Sequence, residues 1–149
     1  MAKIKLIDGI QSDAYLPPSG DASDDWVSLF KKKIHGQYIP KLPFDGNVEY
    51  GMGLAYTFVE ALQRAGANPT RQSIVETIES QKLTGPGLVP FRFSKDSHAG
   101  YTGTQIAEIK NGETSAVGKP MTTDDGDGAI TEYGTAQPQA PANGIPPAS

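Results

Sequence analysis

The sequence has no cysteine, only two histidines among 149 residues, and no apolar run of membrane-spanning length. Without cysteine there are no thiol nucleophiles, no thiolate metal sites and no disulfides, which by itself fits either an oxidising or a reducing compartment. The two histidines, His35 and His98, lack the carboxylate spacing that a metal site needs, so no metal and no cofactor is expected. Excess positive charge is also missing: the formal net charge is −4 and the isoelectric point lies near 5.1. No basic stripe interleaved with aromatics occurs, so nucleic acid is not an expected partner. Nothing at the N-terminus reads as an export signal, since Met1 to Asp8 is followed by no apolar stretch of signal-peptide length.

What is present is globular patterning up to Val117 and little of it beyond. The reading divides the chain into a partial α/β domain over 1–117 and a disordered Pro/Gly/Ala-rich tail over 118–149. Five prolines and few large apolar residues in that tail offer too little burial to offset the entropy of ordering it. Within the first part, Ile4 to Leu16 reads as one strand or two short ones, broken at Asp8-Gly9 and ending at Pro17-Pro18. Ser23 is the expected cap of a first helix that buries Trp26, Val27, Leu29, Phe30 and Ile34 and stops at Gly36. The run Lys31-Lys32-Lys33 then falls in its last turn, where cations complement the helix dipole.

A longer helix is predicted from Asn47 to Ala65, with Leu54, Ala55, Phe58, Val59 and Leu62 on one side and Gly66 after its end. Thr70 caps a third helix with Ile74, Val75 and Ile78 facing inward. Gly85-Pro86-Gly87 is a loop by composition, and Val89, Phe91 and Phe93 alternate as in a strand. Gln105 to Lys110 and Glu113 to Val117 flank Asn111-Gly112, both of which accept positive φ, so a two-residue hairpin is predicted there.

None of the short motifs amounts to a catalytic signature, and no catalytic residue is assigned. Gly51-Met52-Gly53 lies in a helical pattern, lacks a third glycine and follows no strand, so it is not a phosphate-binding turn. Two glycines at a helix start do allow another backbone or a ligand to approach closely, which makes Tyr50 to Gly53 a candidate pocket wall. Ser94 to His98 gathers hydroxyl, carboxylate and imidazole in one polar loop, whereas catalytic triads are assembled from distant segments. Its expected role is a turn between strands, with Asp96 or Ser97 bonded to nearby backbone and His98 packed locally. Asp124 to Gly128 has calcium-loop composition, but Gly134 stands where the bidentate glutamate belongs. Asp24 and Asp25, adjacent at a helix start, are capping charges.

The run from Asp45 to Gly66, DGNVEYGMGLAYTFVEALQRAG, followed by NPTRQSIVE, resembles the Leu/Ile/Val-binding family of type I solute-binding proteins. Upstream, Gly9 to Pro18 and the Trp26–Phe30 helix resemble that family's strand, hinge and helix. Downstream, Gly85-Pro86-Gly87, FRFS from Phe91, DSHAG from Asp96 and the Lys110-Asn111-Gly112 hairpin follow in the family's order. The likeness runs from about Gly9 to Val117.

It implies a two-lobed α/β fold, each lobe a sheet covered by helices, with a ligand held in the cleft and hinge closure about it. This chain would be the C-terminal part of that fold: three helices with a few strands and a C-terminal hairpin. The resemblance also implies binding of amino acids or similar small polar solutes for an ABC importer, without catalysis, in the periplasm or outside the cell. The permease would then be the partner of the longer protein. A ligand-sensing regulator of the same fold is the alternative. By family pattern, Asp13 to Pro17 is an interlobe crossover, and Tyr15, Tyr50, Gly51 and Met52 are the expected ligand-facing residues. The family commonly shows Gly-Tyr-Asp where this chain has Gly51-Met52-Gly53, so the contact made by that aromatic is expected either to fall to Tyr50 or to be lost. Met1 is not expected to be a natural start. Helices shaped to cover a larger sheet would leave apolar faces open, so the chain alone is expected to self-associate as a homo-oligomer or to exchange elements.

Overall fold

In the computed structural model, which describes residues 5–123 and 128–147, four helices stand beside a four-stranded and a two-stranded antiparallel sheet. Helix α1 (Asp25–Leu29) is capped by Asp24, whose carboxylate accepts from the backbone N–H groups of Trp26 and Val27. Ser23, the expected cap, instead donates to Asp21. Asp24 wins because a carboxylate reaches two free N–H groups and carries the charge that a helix N-terminus favours. The helix does not stop at Gly36. It widens into a π-helical turn, Phe30–His35, and closes again as α2 (Gly36–Tyr38), so the backbone leaves the helix at Ile39. His35 is buried at this end, its Nε2 2.7 Å from the carbonyl of Leu42 and its ring edge-on to Phe44.

Helix α3 (Gly46–Arg64) is capped by Asp45, and α4 (Arg71–Glu79) by a reciprocal box between Thr70 and Ser73. The face that α3 buries is not the expected one. Glu49, Gly53, Tyr56 and Glu60 point inward, whereas Leu54 is 61% and Phe58 55% exposed. Tyr56 packs edge-on to Trp26 and joins Leu29 and Phe30 in the main core, with Ile34, Phe44 and Met52 around it.

The larger sheet has the order β1-β4-β5-β6. Strand β1 is short (Gln11–Ala14), because the apolar residues before it lie in a 3-10 turn and around Gly9, which has a φ of 86°. Strands β4 (Gly103–Lys110) and β5 (Glu113–Thr122) form the predicted hairpin, with Asn111 and Gly112 at φ 55° and 76°. That pair of positive φ values matches the twist of the strands and fixes the register Lys110↔Glu113. The smaller sheet pairs β2 (Phe91–Arg92) with β3 (Gly100–Tyr101). Between them Ser94 to Ser97 form the turn, but the hydroxyl that organises it is that of Ser94, which accepts from the N–H groups of Asp96 and Ser97.

The segment after Val117 differs from the disordered tail that composition suggests. Strand β5 continues to Thr122, and β6 (Thr131–Glu132) pairs with it, tied by an ion pair between Lys119 and Glu132. Residues 137–146 then lie against the helices: Trp26 Nε1 donates to the Pro138 carbonyl, Gln137 to that of Pro86, and Ala140 packs on the core. Composition missed this because the contacts are made by backbone carbonyls and small apolar surfaces, which hydropathy does not register. The aspartates of the calcium-loop-like run, Asp124 to Asp127, lie outside the described residues.

Candidate functional site

A concavity of about 450 Å³ is an open groove whose floor is the exposed side of α3 and whose wall is aromatic. Each part has a local cause. Gly53 sits where a Cβ would lie 3.2 Å from Pro86 and 3.7 Å from Leu16, so its lack of a side chain lets the loop and the end of the β1 segment close on the helix. The loop is then held from below by Glu60. This fully buried carboxylate accepts from the N–H and hydroxyl of Thr84, the N–H of Gly85 and Nε of Arg64, at 3.1 to 3.3 Å. A buried charge is tolerated because each of its partners donates to it.

Across this loop lies the ring of Tyr101. A Cβ on Gly87 would stand 2.1 Å from the ring, and one on Gly85 2.7 Å from the hydroxyl, so both glycines are required by the tyrosine. Burial pushes the Tyr101 phenol up to about 12, although hydrogen bonds to Thr57 and to the backbone of Gly87 oppose the shift. From Tyr101 a continuous series of ring contacts runs along the groove. Tyr15 stacks on Tyr101 at 4.9 Å, Phe91 meets it edge-on at 5.3 Å, Phe93 stacks on Phe91, and His98 stacks on Phe93 at 4.7 Å. His98 also reaches Glu79 of α4 at 3.6 Å, so an aromatic face and a carboxylate flank it.

Of the four residues expected to face a ligand, the structure brings two together. Tyr15 and Tyr50 both line the groove, and burial, followed by the neighbouring Tyr50, raises the Tyr15 phenol above its ordinary value. Gly51 is exposed on the helix with open space where a Cβ would be. Met52 points to the other side of α3, into the core beside Ile34 and Tyr56. A helix turns 100° per residue, so Tyr50 and Met52 cannot share a face. The sequence reading missed Tyr101, Phe91 and Thr57 as wall residues. The signal for Tyr101 was Gly85-Pro86-Gly87, a loop with two small residues around a ring still to be identified.

Chemically the groove offers apolar surface edged by the hydroxyls of Tyr15, Tyr50, Thr57 and Tyr101. Among the described residues its lining includes no lysine, arginine, aspartate or glutamate. It can orient a polar group by hydrogen bonds and pack an apolar one, but it does not neutralise a full charge. Among the described residues no three metal-ligating side chains converge, and no helix is long and apolar enough to cross a membrane.

No protein-family model matches the chain, and neither does any curated protein. Among solved structures, the fold is similar to that of a branched chain amino acid ABC transporter from Thermus thermophilus with bound valine. The TM-score is 0.60 at 19% identity, over 81% of this chain and 35% of that one. The chain therefore spans about a third of that protein, and its fold is that of the matching part of a type I periplasmic-binding architecture.

Proposed function

We infer that this chain is the C-terminal part of a solute-binding component of an ABC importer, which takes up amino acids or similar small polar solutes and performs no chemistry on them. The observation that carries this reading is the fold likeness to a part of a valine-bound transport protein, and the resemblance of the sequence to the Leu/Ile/Val-binding family supports it. The groove agrees with a partial site. A zwitterionic solute needs groups that balance an ammonium and a carboxylate, and a lining of hydroxyls and rings supplies neither. Tyr15 and Tyr50 are then one edge of the cleft, and the charged contacts come from the remainder of the two-lobed fold. Such a protein works outside the cytoplasmic membrane and delivers its solute to a permease.

The test is titration calorimetry of the longer protein that carries this sequence, against a panel of amino acids and small amides. Saturable binding of one or a few of them is expected, with Tyr50→Ala weakening it. Failure of every small polar solute to bind would overturn the assignment.

A further inference from the structure

A further groove lies on the opposite side of α3, between that helix and α1, and residues 136–147 lie along it. Its body side is Trp26, Leu29, Ile34, Met52, Tyr56 and Val59. Its occupant is the segment 136–147, which contains Pro138, Pro141, Pro146 and Pro147 and no charged residue. Two side-chain donors on the helix read two backbone carbonyls of the segment: Trp26 Nε1 donates to Pro138 and Lys33 Nζ to Ala142.

The spacing of these contacts is consistent. Trp26 and Lys33 are seven residues apart, about 10 Å along a helix, and Pro138 and Ala142 are four apart, about 12 Å in an extended proline-rich chain. Between the two anchors Ala140 packs on the core. The segment then turns back through a hydrogen bond from Gly144 N–H to the Pro141 carbonyl, and Gly144, at a φ of 75°, comes to lie against Leu29. Ile145 and a buried Pro146 end it against Met52 and Val59.

These features are those by which aromatic grooves recognise proline-rich segments. An indole N–H takes a carbonyl that an extended proline-rich chain leaves without an internal hydrogen bond, small residues fit between anchors, and a stiff chain loses little entropy on docking. We propose that the α1/α3 groove is a binding site for uncharged, proline-rich segments, occupied in cis by residues 136–147 and open to the same segment supplied in trans. The proposal rests on this face alone and does not depend on the solute-binding reading.

Trp26 is the single tryptophan of the chain and lies in the groove, so its fluorescence reports occupancy directly. In the full chain, Ala140→Asp places a charge against the core and should release the segment. Emission should move to longer wavelength and acrylamide quenching should rise, while the far-UV circular dichroism is kept. A synthetic peptide of residues 135–147 added to that variant should reverse both changes in a saturable manner, and the same peptide carrying Ala140→Asp should not. Gly144→Val, which strains a left-handed position and crowds Leu29 without changing any residue of the body, should give a smaller change of the same sign. It decides the matter if Ala140→Asp loses its circular dichroism. Unaltered Trp26 emission in both variants, or a shift that the native peptide leaves in place, would overturn the proposal.

Discussion

Glu49 stands in the first turn of α3, 2% exposed, with one carboxylate oxygen that no donor among the described residues reaches. Burial, and secondarily the charge of Asp24, push its pKa from 4.5 up to about 8. Because the folded value lies above the unfolded one, the folded state holds a proton that the unfolded chain gives up. The acid form costs nothing extra below pH 4.5, and the penalty grows as pH rises towards 8. Glu49→Gln is therefore expected to leave stability nearly unchanged at pH 4 and to raise it by about 2 kcal/mol at pH 9, the order of a buried unpaired polar group. Urea unfolding at the two pH values checks this, and an equal effect at both would contradict it. Gly87 makes a second prediction at this scale. Its Cβ would overlap the Tyr101 ring, so Gly87→Ala should cost about 1 to 3 kcal/mol by overpacking. The double change Gly87→Ala with Tyr101→Ala should recover part of that loss in the same assay. Single residues were the least legible level of the sequence. Tyr15 and Tyr50 could be named from the family pattern, but Met52 was placed with them although helix geometry separates residues 50 and 52. Tyr101 could not be linked to Gly87 because only the fold brings them together.

At the scale of elements the sequence was more informative, since caps and turns act locally. Thr70 starts its helix as expected and Asn111-Gly112 makes the hairpin, whereas the cap of α3 is Asp45, which by composition reads as part of the preceding loop. What periodicity could not tell was which face of α3 is inside. Leu54 and Phe58 form the apolar stripe, yet the buried stripe carries two glutamates, because Glu60 is more useful as a clamp on the loop at Thr84 and Gly85. Removing that clamp by Glu60→Ala takes the carboxylate acceptor from the N–H groups of Thr84 and Gly85, the second of them buried. A loss of about 3 kcal/mol is expected, with faster amide exchange at Thr84 and Gly85 than in the helices. An exchange pattern unaltered at those two amides would show that the loop holds itself.

For the molecule as a whole, the groove of Leu54, Phe58 and the aromatic series is an apolar surface that the described residues leave open. The fold explains why: the matched neighbour is almost three times as long as the part seen here, and helices of this architecture are built to lie on sheets. The chain on its own is expected to associate through this face. Phe58→Glu should shift light-scattering mass towards the monomer, whereas a clean monomer before substitution would mean that the face is complete as it stands. The central claim, that this chain is one edge of a solute cleft and not a site by itself, is tested most directly by calorimetry on two samples in parallel: the longer protein and the 149-residue chain. The account predicts saturable amino-acid binding by the first, weakened by Tyr50→Ala, and no specific heat from the second. Equal binding by both, or by neither, would contradict it.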